Sequence, residues 1–237
     1  MSHPPSLSPE SQTRFFPQGR PSSGVLFLAA SVSLLLLGIA FCLDAWAVEW
    51  VRSEAHGWGK WFAGRVGFWG DWFGVVALGG VAWGVGRFRK NVRVQRTVLL
   101  MGICAAVSGL SANVVRGLGG RARPFSEAAP GWYGPARGAR LAKASHQFQA
   151  FPSAHTAVVA GFLAPMALVC ARSGRPRKAF LGGLLALAGT ALMAWARVWA
   201  GAHHVSDVTA SSLLGLWLAF WMLKRFGHRL NSPPDRR

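Results

Sequence analysis

The chain has 237 residues, of which 51% are hydrophobic and only 14% charged, and its 26 Lys and Arg against 8 Asp and Glu leave a formal charge of +18. Soluble domains carry roughly 25% charged residues, so the balance favours a membrane protein with basic loops over a soluble one. Nucleic-acid binding is excluded as well, because such proteins gather basic residues on one polar face rather than between long apolar runs.

Residues 1–23 are rich in Pro and Ser and lack apolar periodicity, which reads as a disordered cytoplasmic leader. Six apolar segments follow, at about 25–43, 72–86, 97–115, 155–171, 179–196 and 207–223. A helix needs about 20 residues to cross the hydrocarbon. The first, third and sixth segments reach that length outright; flanking Trp, Gly and Phe extend the second and fourth. The first run is longer than a secretory signal, and "IAFC" places Phe where a lipoprotein cleavage site needs a small residue, so it reads as an uncleaved anchor. The fold expected is an all-α polytopic membrane bundle of about six transmembrane helices over residues 24–226. Residues 227–237 read as a cytoplasmic tail.

Between the first two segments, residues 46–72 hold six of the twelve tryptophans. Trp at that density beside membrane spans predicts an interfacial segment on the outer leaflet. Cys42, Cys104 and Cys170 all lie in apolar runs, which predicts neither a disulfide framework nor a zinc site. With six spans the loops alternate, and one set, including "RFRKNVRVQR" and "RSGRPRK", holds 16 basic residues against 10 in the other. The richer set is cytoplasmic by the positive-inside rule. No internal repeat of the kind found in inverted-repeat transporters is visible.

The remaining polar residues fall in three patches that this topology brings out on one face, the periplasmic or cell-exterior side of the inner membrane. They are "RGLGGRARP" with Arg116 and Arg123, "FPSAHT" with Ser153 and His155, and "ARVWAGAHHVSDV" with Arg197, His203, His204 and Asp207. Polar groups at the edge of a membrane are costly and mark function. Arg116, Arg123 and Arg197 can make forked hydrogen bonds to a tetrahedral oxyanion. Pro152 suits a first helical turn, whose free N–H groups favour an anion, and the Ser153 hydroxyl adds a donor. Placed on the first turn of the sixth span, His203 and Asp207 share a face, so the carboxylate would bind one ring nitrogen and leave the other as a nucleophile. His155 would protonate the leaving oxygen. His204 has no partner at helical spacing and reads as a polar tip. Arg121, Arg137, Arg140 and Lys143 read as loop-solvating or head-group-contacting residues. No metal and no cofactor is expected, since three arginines would repel a divalent cation from His155, His203 and Asp207.

Taken together, Arg116-x6-Arg123-Pro124, Pro152-Ser153-Ala154-His155 and Ala196-Arg197-x5-His203-x3-Asp207 resemble the motifs of the type 2 phosphatidic acid phosphatases. That family shares its site with the vanadium haloperoxidases, which, unlike this chain, are soluble. The resemblance spans about 116–207. It implies a metal-independent lipid phosphatase, with catalytic loops at 116–155 and 197–207. His203 would be the nucleophile that forms a phosphohistidine, Asp207 its orienting partner and His155 the acid. Arg116, Arg123, Ser153 and Arg197 would hold the phosphoryl oxygens. Three positions depart from the family pattern: Arg116 replaces Lys, Ala154 replaces Gly, and Ala196 replaces Ser. The expected partners are the membrane and a phosphorylated lipid: undecaprenyl diphosphate, lipid A, phosphatidylglycerol phosphate or phosphatidic acid. The oligomeric state stays open. The rival reading is a non-catalytic transporter or lipid-binding protein that keeps the arginine cradle without turnover.

Overall fold

A computed structural model describes residues 22–138 and 143–227. The leader up to residue 21, the tail from 228, Arg140 and the Lys143 side chain lie outside the described residues. The elements are helices: α1 (Ser23–Glu54), α2 (Gly57–Trp69), α3 (Trp72–Phe88), α4 (Val92–Gly119), a short α5 (Pro135–Gly138), a 3-10 turn (Lys143–Phe148), α6 (Ala154–Ala171), α7 (Pro176–Trp199) and α8 (Val205–Phe226). Helices α1, α4, α6, α7 and α8 are long and apolar enough to cross a membrane; α2 and α3 qualify as a pair bent by 59°, for a total of up to six. The all-α polytopic layout expected from the apolar runs is therefore present.

The bundle is apolar outside and mixed inside, as lipid as solvent requires. Phe27, Leu34, Phe73, Val76, Leu185 and Leu187 are exposed, whereas Ser153, Thr156, Ser206 and Asp207 are buried. Lipid tails are as apolar as Leu, so close contact between helices has to come from small residues. Helix α6 is the axis, packed against α4, α7 and α8. A Cβ on Gly161 of α6 would lie 2.5 Å from Ser108 Oγ of α4, and one on Gly215 of α8 would lie 2.6 Å from Ala160 Cβ of α6. Two apolar clusters continue these contacts: Leu100, Cys104, Ala164, Ala219 and Leu223 in one, and Val75, Met101, Ala105, Val158 and Phe162 in the other.

Residues 46–72 are not one segment, as the tryptophan density suggested. Nothing interrupts helical propensity before residue 55, so 46–54 continue α1 with Ala47 and Val51 on its buried face. Helix α2 is separate and packs on α7. Aromatic contacts join the three helices: Trp50 meets Trp199 edge-on at 5.2 Å, Trp199 stacks on Trp195 at 5.6 Å, and Trp195 meets Phe62 at 6.0 Å. The break between α2 and α3 falls at Gly70 and Asp71, where the Asp71 carboxylate accepts from Trp72 N (2.8 Å) and caps α3.

Candidate active site

All three polar patches lie at one end of the bundle, where α1, α4 and α7 finish and α6 and α8 begin. Two glycines turn the chain into that end. Gly120 closes α4 with φ 61°, donating to Arg116 O, and a Cβ there would lie 2.2 Å from Gly134 O. Gly201 follows α7 with φ 64°, and its Cβ would lie 2.1 Å from the Phe125 ring. Left-handed backbone of this kind favours glycine.

After Gly120 the chain runs between two neighbours. Ala122 N donates to Gly131 O (3.0 Å) and Tyr133 N to Gly120 O (3.0 Å) on one side. On the other, Arg123 N donates to Gln147 O (2.8 Å) and Ala150 N to Arg121 O (3.0 Å). Ser153 N then donates to Asp207 O (3.3 Å), which ties the second patch to α8. The first, second and third patches are thus laced together by backbone hydrogen bonds.

Among the described residues His203 is the most buried imidazole, 1% exposed. It was expected on the first turn of the sixth span, bonded to Asp207, and the structure corrects that geometry. Helix α8 begins at Val205 with His204 as N-cap, so His203 precedes the helix and the helical four-residue spacing does not apply to the pair. Its Nδ1 lies 2.7 Å from Ala150 O, while the nearest Asp207 oxygen is at 3.7 Å. A carbonyl only accepts, so Nδ1 carries the hydrogen and Nε2 the lone pair. Nε2 is buried and has no hydrogen-bond partner among the described residues. Burial drives the His203 pKa down to about 4, Asp207 pulls the other way, and Arg197 and Arg123 add to the fall. The ring is therefore neutral at physiological pH.

Asp207 is fully buried at the third position of α8. Its Oδ2 accepts from His204 N (2.7 Å) and lies 3.1 Å from His204 Nδ1. His204, read from sequence as partnerless, is thus the N-cap that meets the carboxylate three residues on. The other oxygen, Oδ1, accepts from Arg121 Nη1 (2.6 Å).

The three cradle arginines converge electrostatically. Burial first, then Arg197 and Arg116, push Arg123 down to about 10, so it stays cationic at neutral pH. The Arg123 and Arg197 Nε groups are buried without partners among the described residues. Arg123 Nη2 lies 3.3 Å from His146 Nε2. The Arg123 charge, then burial, keep the His146 pKa low, so His146 is neutral and accepts from it. Arg116 donates to Asn113 Oδ1 one turn back on α4. A Cβ on Gly67 of α2 would lie 3.0 Å from Arg197 Nη1, which sets that guanidinium against the α2 end.

His155 occupies the second position of α6, and both His203 and Arg197 are within electrostatic reach of it. Ser153 caps this helix, so Pro152 does not reach the first helical turn expected for it: Thr156 Oγ1 lies 3.1 Å from Ser153 Oγ and Thr156 N at 3.5 Å. Pro152 stands outside the helix, after a cis peptide bond from Phe151. Ala154, in place of the family's Gly, is the first residue of α6 and is not among the positive-φ residues.

Besides His204, three residues near the site were missed or misassigned in the sequence. Arg121, read as a loop or head-group residue, is 9% exposed and ion-paired with Asp44 and Asp207. Asp44 went unremarked; its signal was an acid on α1 flanked by Ala40 and Ala47 at helical spacing, on the helix's buried face. Asp71, at the break between α2 and α3, is within electrostatic reach of Arg197 and His155. Among the described residues, no group of three His, Cys, Asp or Glu side chains is arranged to hold a metal.

The family model described as PAP2 superfamily matches residues 97–230. A lipid A 1-phosphatase of Rhizobium johnstonii is 35% identical over 114 residues, 47% of this chain. The matched stretch spans 41% of that relative's length. The crystal structure of a transmembrane PAP2-type phosphatidylglycerolphosphate phosphatase from Bacillus subtilis shares the fold, with a TM-score of 0.57 at 18% identity over 88% of this chain and 98% of that one.

Proposed function

The chain belongs to the PAP2 superfamily, and from that premise we propose that it is an integral membrane phosphatase that transfers a lipid's phosphoryl group to His203 and then to water. The observation that carries this reading is the state of His203. Its Nδ1–H is committed to Ala150 O, and its unpartnered Nε2 lies in the electrostatic field of Arg123 and Arg197. A neutral, desolvated imidazole with one fixed tautomer is a ready nucleophile.

In the first step Nε2 attacks phosphorus and the bond from phosphorus to the lipid oxygen breaks. His155 gives a proton to that oxygen; the negative charge of the bound phosphoryl group offsets the nearby arginine charge and favours the imidazolium that does so. Because Nδ1 keeps its hydrogen, the phosphorylated ring is cationic, and the buried Asp207 carboxylate at 3.7 Å stabilises it. In the second step neutral His155 takes a proton from water, the water oxygen attacks phosphorus, and the P–N bond breaks to release inorganic phosphate. Arg116, Arg123, Arg197 and the Ser153 hydroxyl hold the equatorial oxygens, the charge neutralisation on which phosphoryl transfer mainly depends. No metal is needed in this scheme.

The similarity to a lipid A 1-phosphatase makes lipid A 1-phosphate the first substrate to test, ahead of undecaprenyl diphosphate, phosphatidylglycerol phosphate and phosphatidic acid. The loop charges support a site that faces the periplasm or cell exterior. The test is phosphate release from these four lipids in detergent by the wild-type chain and by His203→Ala. The wild type should release phosphate from at least one, and His203→Ala should insert normally yet release none. A variant that still turns over would remove His203 as nucleophile. Lipid binding without turnover by the wild type would favour a non-catalytic lipid-binding role.

A further inference from the structure

Asp44 lies on the first span, outside the residues 97–230 that match the family. Its carboxylate nevertheless reaches the catalytic end. Oδ1 accepts from Ser206 N (2.9 Å), while Oδ2 accepts from Ser206 Oγ (2.6 Å) and from Arg121 Nη2 (2.7 Å). Arg121 closes the ring, because its Nη1 donates to Ser206 Oγ (2.6 Å) and to Asp207 Oδ1 (2.6 Å). The guanidinium also lies over two aromatic rings, its Cζ 5.2 Å from the Phe41 centroid and 5.2 Å from the Trp132 centroid.

Two consequences follow. Arg121 is committed on both terminal nitrogens and lies against two aromatic rings, so it serves Asp207 rather than the phosphoryl group. In addition, a carboxylate from another helix caps the first turn of α8, meeting the Ser206 amide that would otherwise attract an anion. The three chain segments in this ring are up to 162 residues apart. Packing alone does not call for it. Ala40, Ala47 and Val51 already give α1 an apolar buried face, and a buried ion pair is weak evidence for stability.

We propose that Asp44 is a positioning residue for phosphoryl transfer: through Arg121 and Ser206 it fixes the Asp207 carboxylate and the start of α8 relative to His203. The first span is then part of the catalytic frame and not only an anchor. This rests on the phosphatase reading above. Displacing a reacting group by about 1 Å costs on the order of 100-fold in rate, which bounds the expected effect.

The test uses the full chain in detergent and whichever of the four lipids the wild type hydrolyses fastest. Asp44→Asn keeps the shape and removes the charge. Its kcat should fall about 10- to 100-fold, with KM changed by less than about threefold because the cradle arginines are untouched. Orthovanadate, an oxyanion that mimics the transferring phosphoryl group, should still titrate about one site per chain, since a positioning residue leaves the fold intact. A merely structural Asp44 would instead lower the fraction of chains that bind vanadate and leave kcat per binding chain unaltered, which overturns the proposal. Should Asp44→Asn not accumulate, Ser206→Ala removes only the hydroxyl that Asp44 and Arg121 share. A fall in kcat at constant KM supports the positioning role, and an unchanged kcat overturns it. Turnover by the wild type together with an unaffected Asp44→Asn sinks this inference alone. A wild type that releases phosphate from none of the four lipids sinks the phosphatase reading and this inference with it.

Discussion

Asp207→Asn isolates electrostatics from tautomer control. In a site where a carboxylate holds the histidine N–H, the amide would both remove the charge and disturb the tautomer. Here Ala150 O holds Nδ1–H at 2.7 Å and Asp207 stands back at 3.7 Å, so the tautomer survives the substitution. What is lost is the attraction between a carboxylate and the cationic phosphorylated ring. At 3.7 Å and an effective dielectric of about 20, that attraction is about 4 kcal/mol. Arg121, bonded to the same carboxylate at 2.6 Å, offsets part of it, leaving about 2–4 kcal/mol, or roughly 30- to 1000-fold in rate. Release of the dephosphorylated lipid in a single turnover, measured with detergent-solubilised chain in saturating excess over the lipid substrate, reads this step directly. KM should move little, because Asp207 faces the imidazole and not the ground-state phosphate. A single-turnover rate within threefold of wild type would refute the reasoning, since it would mean that no positive charge develops on His203.

Three further outcomes are expected. Gly201→Ala forces φ 64° on a residue with a Cβ and drives that Cβ to 2.1 Å from Phe125. It should lower stability by about 2–4 kcal/mol, read as a fall in Tm, and reduce kcat by displacing the loop that carries His203. His204→Ala removes the side chain at the α8 N-cap while Arg121 still holds Asp207; a stability loss of about 1 kcal/mol with kcat within roughly tenfold of wild type is expected in parallel Tm and phosphate assays. For pH, the His203 pKa in the folded chain is about 4 against an ordinary 6.5. The nucleophile therefore stays neutral well below pH 6, and the acid limb of kcat/KM, corrected for the substrate's own ionisation, should fall near pH 4. The sign for stability follows: between pH 6.5 and 4 the unfolded chain binds the proton that the folded one refuses, so this residue's contribution to stability is lost as pH falls through that window. Thermal melts between pH 7 and 4 check it, with His203→Asn expected to flatten the slope.

The number of spans and the gathering of the three patches at one end were legible in the sequence because hydrophobic length is a local property, summed along the chain. Once the apolar runs are counted, connectivity alone sends alternate loops to opposite ends. The spacing of Arg116 and Arg123, of Ser153 and His155, and of Arg197, His203 and Asp207 was equally local. Hydrogen-bond partners were not. The tautomer of His203 is set by a carbonyl 53 residues earlier in the chain, and Asp207 is held by an arginine 86 residues away that is itself held by Asp44. His204 was misread because the four-residue rule assumes that both residues sit inside the helix, whereas α8 starts only at Val205. Arg121 was misread because an arginine in a loop has the same local sequence whether it points to water or into the bundle. Only the approach of α1 to α8 created the buried carboxylate pair that draws it in, and proximity of that kind is a property of packing in three dimensions rather than of any window of sequence.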